Sequence, residues 1–230
     1  MSSQQTSPTV LSISGSLRKK SLNSQLLREA ERFAPPTVRW IKYRGLADLP
    51  HFNEDNEFPT PDSVRDLRSH VREASGLLIA TPEYNASVPG ALKNAIDWLS
   101  RSDGDTSDGD TLSPLAGMPV AIVGASPGPL GTVRAQMALR QILQKVNAVV
   151  VGQPEFMLPA AHTQLHETTG LSASSMSADV LRKVLDQLLR LIDDSQPRQT
   201  NKLRSSDSPS APARSASSEL IRPPITVRQS

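Results

Sequence analysis

Three stretches of the chain hold polar groups at spacings suited to gripping a small anionic ligand. The first is Gly15-Ser-Leu-Arg-Lys-Lys-Ser-Leu-Asn23. It offers the hydroxyls of Ser16 and Ser21, the amide of Asn23 and the guanidinium of Arg18, all just ahead of a helical pattern. A helix start points unpaired N–H groups outward, and a guanidinium adds charge-assisted hydrogen bonds. The combination suits a phosphate monoester dianion. The stretch lacks the closing Gly-Lys-Ser/Thr of a Walker loop and is not the Gly-x-Gly-x-x-Gly of a dinucleotide clasp. The same residues also describe a polar surface loop with an N-capping serine.

The second stretch is Thr81-Pro-Glu-Tyr-Asn-Ala-Ser-Val-Pro-Gly90. It sets backbone N–H groups near a rigid aromatic side chain, the inventory that the polar edge of a flavin ring requires. The plainer alternative is that Tyr84 covers the end of a sheet and Glu83 is a solvated turn residue. The third stretch is Gly124-Ala-Ser-Pro-Gly-Pro-Leu-Gly131. Its glycines permit close backbone approach to a flat ligand. It also matches the Gly-x-Ser-x-Gly nucleophile elbow, whose oxyanion hole uses the N–H after the serine. Here that residue is Pro127, which has no N–H, so the serine-hydrolase reading fails.

Other candidates are weaker. His162 and His166 have the i, i+4 spacing of two helical metal ligands, but flanking Pro159 and Gly170 suggest a loop, and the inner Glu of His-Glu-x-x-His is missing. The acidic run 103–110 has the wrong spacing for an EF-hand, and Pro114 stands at the twelfth position in place of Glu. No metal is expected. Trp98 reads as core or as subunit interface.

These stretches must be placed by regular elements. Short apolar runs at 9–14, 38–43, 76–80, 119–123 and 148–151 read as strands. Helical spacing marks 22–33, 62–74, 89–101, 132–146 and 177–194. Strands alternating with helices predict an α/β fold: a five-stranded parallel sheet with helices on both faces. Order 2-1-3-4-5, flavodoxin-like, is the expected arrangement, with ligands at the carboxyl ends of strands 1, 3 and 4. The expected organisation is a flexible N-terminus over 1–8, one domain over 9–195 and a disordered Ser/Pro/Arg-rich tail over 196–230.

Composition narrows the class. The 230 residues include no cysteine, which removes disulfides, thiolate nucleophiles and Cys-ligated metals. The pI near 9.1 is misleading. The tail holds six Lys/Arg against Asp207 and Glu219, leaving residues 1–195 with 19 basic and 21 acidic side chains, a net of −2. Nucleic acid is therefore not an expected partner. No apolar run approaches the ~20 residues of a membrane span. The polar start runs straight into a strand, so no secretory signal is expected and a cytoplasmic setting is.

Together the three stretches resemble the NADPH-dependent FMN reductase family, in particular its quinone- and chromate-reductase-like branch. The resemblance covers roughly residues 9–190. Its carriers are Gly15-Ser-Leu-Arg18 with Ser21 and Asn23, Thr81-Pro-Glu-Tyr-Asn85 with Ser87, Pro89-Gly-Ala-Leu-Lys-Asn-Ala-Ile-Asp-Trp98, and Leu139-Arg-Gln-Ile-Leu143. It implies a flavodoxin-like fold with bound FMN and NAD(P)H as co-substrate. It implies that Ser16, Arg18, Ser21 and Asn23 hold the FMN phosphate. Pro82, Glu83, Tyr84, Asn85 and Ser87 would line the ring and ribityl chain, with Ser126, Gly128 and Gly131 closing the other side. Hydride would pass from NAD(P)H to the flavin and on to a quinone, azo compound, chromate or free flavin, with no side-chain acid or base required. Homodimers or dimer-built tetramers are implied, with Arg134, Glu155 and Tyr84 at the assembly contacts. Two features depart from the family pattern: the long acidic loop 102–113 and the proline-stiffened Pro127-Gly-Pro129. Two other functions fit the same residues, a flavodoxin-type electron carrier and a non-enzymatic flavin-binding regulator.

Overall fold

The computed structural model describes residues 7–101 and 113–195. The first six residues, nearly all of the acidic loop and the 196–230 tail lie outside the described residues. The apolar runs form β1 (Thr9–Ser14), β2 (Arg39–Tyr43), β3 (Gly76–Ala80), β4 (Pro119–Ala125), β5 (Val149–Val150) and β6 (Phe156–Leu158). The sheet order is β2-β1-β3-β4-β5, and all neighbours are parallel. β3 and β4 are buried at every position, as strands covered on both faces must be.

The edge after β4 differs from the expected strand at 148–151. β5 pairs with the start of β4 (Pro119↔Val149), and β6 pairs with its end (Val123↔Phe156 to Ala125↔Leu158). The chain leaves the ladder around Gly152 and Pro154, and proline has no N–H to donate to a neighbour.

Helices α1 (Leu22–Phe33), α2 (Asp62–Glu73), α3 (Gly90–Leu99), α4 (Val133–Lys145), α5 (Ala161–Gln164) and α6 (Met176–Ser195) cover the sheet. Alternation along each strand sorts them into two layers. Val10, Leu78, Ala121 and Val123 pack with α1 and α6. Leu11, Ile13, Leu77, Ile79, Val120 and Ile122 pack with α2, α3 and α4. α1 ends where expected: the Ala34 N–H donates to Ala30 O at 3.0 Å, directly before Pro35-Pro36. A small antiparallel pair, β7 (Leu165–His166) with β8 (Gly170–Leu171), follows α5. His162 and His166 therefore fall on different elements. Among the described residues no helix is long and apolar enough to cross a membrane.

Trp98 is core. It is fully buried, meets Phe52 edge-on at 5.0 Å between ring centroids, and its indole N–H donates to Pro50 O at 2.8 Å. Asn94, one turn earlier on α3, donates to the same carbonyl at 2.9 Å and accepts from the Phe52 N–H. Trp98→Phe deletes one donor but leaves Pro50 O bonded to Asn94. We expect a loss of about 1–2 kcal/mol from the hydrogen bond and the unfilled volume. Urea denaturation checks it, with a lower midpoint at unchanged slope.

Candidate functional site

β3 lies between β1 and β4, so the turns that leave these three strands emerge side by side. Ligands of open α/β sheets bind outside such carboxyl ends. Backbone bonds hold the exits in register: the Gly15 N–H donates to Ala80 O at 2.8 Å and the Thr81 N–H to Val123 O at 3.0 Å. A cleft of about 90 Å³ lies between the turns. Its wall gathers Ser16, Arg18, Ser21 and Asn23 from the first turn, Pro82, Glu83 and Tyr84 from the second, and Ser126 from the third. Leu22, Ala125 and Pro127 complete it. Reading the sequence for polar groups passes over those three, because they carry no donor or charge to notice.

The first turn leaves several donors uncommitted. Ser21 caps α1, its Oγ accepting from the Ser24 N–H at 3.2 Å. The N–H groups of Leu22 and Asn23, in the first turn of α1, have no intrahelical acceptor. Ser16 Oγ accepts from the Arg18 N–H at 3.4 Å. The Arg18 side chain is exposed and has no partner among the described residues.

The side chain of Asn23 is already engaged. It is buried, its Nδ2 donates to Ala125 O at 2.9 Å, and its Oδ1 accepts from the Ala125 N–H at 3.0 Å. The amide is committed to joining the start of α1 to the end of β4.

The second turn is a two-residue hairpin. Tyr84 and Ser87 exchange both backbone hydrogen bonds at 3.0 Å, and Asn85 and Ala86 sit at φ +50° and +63°. Two successive positive φ angles are the signature of a type I′ turn. Asparagine tolerates that region, whereas alanine there costs about 1–2 kcal/mol. The hairpin leaves the Tyr84 ring exposed at the cleft mouth and carries Asn85 and Ser87 off the cleft wall. Pro82 has no N–H and the Tyr84 N–H is taken by Ser87, so Glu83 keeps the uncommitted backbone N–H of this wall.

The Glu83 carboxylate turns away from the cleft and caps α4. Its Oε2 accepts from the backbone N–H groups of Arg134 (2.9 Å) and Ala135 (3.2 Å). Its Oε1 accepts from Arg134 Nε at 2.7 Å and also from Nη2. Burial pushes this carboxyl up. The Arg134 guanidinium and the two N–H groups more than offset that, so its pKa lies below the ordinary value. Arg134, expected at an assembly contact, is thus tied to Glu83 in its own chain. Glu155 likewise meets Arg140 Nε at 3.1 Å.

The third turn is held by packing. Thr132, buried before α4, has φ +76°, an unusual angle for a β-branched residue. A Cβ on Gly124 would come within 1.8 Å of Thr132 Oγ1, so glycine is required there. Gln136 Nε2 donates to Thr132 Oγ1 (3.1 Å) and Phe156 O (2.8 Å). Gly131 has φ +56°, and a Cβ there would meet Met157 and the backbone of Leu158 and Pro159. Gly128 O accepts from the Ala160 N–H at 3.0 Å and from Ser126 Oγ at 3.2 Å. Gly128 and Gly131 therefore seat this turn against β6 and the start of α5; neither lines the cleft.

A pocket that encloses a drug-sized ligand spans roughly 300–1,000 Å³. The cleft is smaller. It has room for a small anionic group and not for a whole drug-sized ligand.

The sequence profile described as NADPH-dependent FMN reductase matches residues 8–163. A quinone reductase of Escherichia coli is 41% identical over 163 residues, 70% of this chain and 82% of that protein. An NAD(P)H-dependent FMN reductase of Pseudomonas aeruginosa is 44% identical over 153 residues, 66% of this chain and 78% of that one. Among solved structures, the flavoenzyme NAD(P)H:(acceptor) oxidoreductase FerB of Paracoccus denitrificans superposes with a TM-score of 0.72 at 32% identity, covering 82% of this chain and 98% of its own.

Glu83→Gln tests the cap. A carboxylate with a lowered folded pKa contributes stability above its unfolded value and loses it as pH falls through the folded one. The variant should be less stable by about 1–2 kcal/mol at neutral pH, charged hydrogen bonds being the stronger kind. Thermal unfolding of both proteins across the acid range should show the two curves converging as Glu83 protonates. A constant gap down to the lowest pH would assign the loss to shape and not to charge.

Proposed function

The chain belongs to the NADPH-dependent FMN reductase family, and from that premise we propose that it carries electrons from NAD(P)H to a quinone-class acceptor. It is an oxidoreductase that works with FMN as its flavin and NAD(P)H as its donor. The observation that carries the reading is the convergence of three rim turns on one small cleft, with Arg18 and the open start of α1 on its wall. A mononucleotide phosphate fits that donor set, and the lone dinucleotide-type loop that would argue otherwise is missing.

FMN, when bound, would supply the two-electron chemistry that links a nicotinamide donor to an acceptor. The chain's own residues hold and orient. Arg18, the hydroxyls of Ser16 and Ser21, and the N–H groups of Leu22 and Asn23 would bind the phosphate dianion. Pro82 and Pro127 would form flat walls, and the Glu83 N–H would meet a polar edge of the ring. Asn23 and the Glu83 carboxylate act as positioning groups, through Ala125 and α4. Leu17, Tyr84, Leu130 and Met137 are exposed apolar side chains. Three of them stand on the turns and the fourth on α4, a setting that supports assembly as a homodimer or dimer of dimers over the rim.

A quinone is favoured because the E. coli relative carries that name and because a flat acceptor suits an open, apolar-edged rim. The same names speak against a pure electron carrier. The reductase domain is proposed to be residues 9–195, and the cysteine-free chain with a nicotinamide donor fits the cytoplasm.

The purified protein should be yellow. NADPH alone should bleach it under anaerobic conditions, and a benzoquinone should restore the colour. A colourless protein that refuses added FMN, or a flavin that needs a second protein for reduction, would sink the reading. Arg18→Ala should weaken FMN binding by about 10- to 150-fold, the equivalent of roughly 1.5–3 kcal/mol for a charge-assisted contact. Fluorescence titration of flavin-stripped protein measures it.

A further inference from the structure

A second hollow, of about 340 Å³, opens on the α1 side of the sheet where β1 and β2 end. The sheet changes character there. Val10 and Trp40, paired across β1 and β2, pack into the apolar layer under α1 and α6. Two residues further on, the same face presents Ser12 opposite Lys42, and then Ser14. α1 adds Ser24 and Arg28, one helical turn apart, and Arg44 follows β2. Apolar side chains would normally fill a sheet face beneath a helix. Here three separate elements converge on it with hydroxyls and cations.

The charges do not balance within the hollow. No carboxylate lines it. Lys42 pairs at 2.5 Å with Glu31, while Arg28 and Arg44 have no ion pair among the described residues. Arg28 from α1 and Arg44 from just after β2, both exposed, bring two guanidinium side chains to one hollow. That pair of cations suits a tetrahedral, multiply charged oxyanion better than a single carboxylate. The hydroxyls extend the polar wall: Ser24 Oγ donates to Ser14 Oγ at 2.8 Å, and Ser14 Oγ accepts from the Ser16 N–H at 3.4 Å. Through Ser14 and Ser16 this wall backs directly onto the first rim turn.

We propose that the hollow between α1 and the end of β2 binds a phosphate monoester or inorganic phosphate dianion, held by Arg28 and Arg44 with Lys42 as the third cation. The site is separate from the flavin cleft. The dianion has two sources, the 2′-phosphate that distinguishes NADPH from NADH and free phosphate. The first source rests on the reductase reading; the second does not.

Calorimetric titration of the full-length, FMN-loaded protein with inorganic phosphate and with adenosine 2′,5′-bisphosphate reads binding without turnover. Saturable binding of at least one probe is expected, weakened about tenfold or more in the double variant Arg28→Gln/Arg44→Gln with flavin content unchanged. Steady-state kinetics then identify the source. A rise of about tenfold in KM for NADPH, with KM for NADH unmoved, assigns the site to the donor's 2′-phosphate. Loss of phosphate binding with both KM values unmoved assigns it to free phosphate. No saturable binding by the wild-type protein, or equal binding by the variant, overturns the proposal. A colourless, inactive protein whose phosphate binding still vanished in the double variant would refute the reductase reading and leave this site standing.

Discussion

One buried amide closes the rim of the sheet. The side chain of Asn23 uses its donor and its acceptor together on the backbone of Ala125, bridging from the start of α1 to the end of β4 across the line of β3. A buried backbone pair left without partners would be costly, so the bridge is strongly specified. It fixes where α1 begins relative to the third turn. The Ser21 cap and the open first N–H groups of α1 sit beside that bridge, on the same cleft wall.

Two of the three helices that follow the rim turns, α1 and α4, are used in opposite ways. Each helix start carries a partial positive charge and unpaired N–H groups. At α4 those groups are already filled, because Glu83 reaches over from the second turn and Arg134 locks it in place. At α1 they are left open beside an unpaired guanidinium. The start of α4 is thus spent on holding the protein's own loop, while the start of α1 stays open for the dianion proposed above. The same carboxylate that could have repelled a phosphate is neutralised where it stands.

Much of this was legible in the residues. Apolar runs with turn signals gave the strands, helical spacing gave the long helices to within about two residues, and alternation of the two gave a parallel sheet. The cleft residues Ser16, Arg18, Ser21, Pro82 and Tyr84 were readable because each sits just past a strand end. The anchoring was not. Asn23 meets a residue 102 positions away and Glu83 one 51 positions away. Nothing local in either neighbourhood marks the partner, so neither anchoring bond can be read from the sequence. The glycines of the third turn pose the same ambiguity. A glycine needed for a left-handed angle under Pro159 reads identically to one needed for a ligand. The break in the last strand was hidden because Val149 and Phe156 each pair with a different half of β4.

The shallowness of the cleft separates two jobs that many binding sites fuse. Grip comes from strand ends and a helix start, which the sheet and its core hold still. In the proposed reading, selection among flat visitors would fall to exposed loop side chains such as Leu17, Tyr84 and Leu130. Such a division lets the guest list be rewritten by surface changes alone.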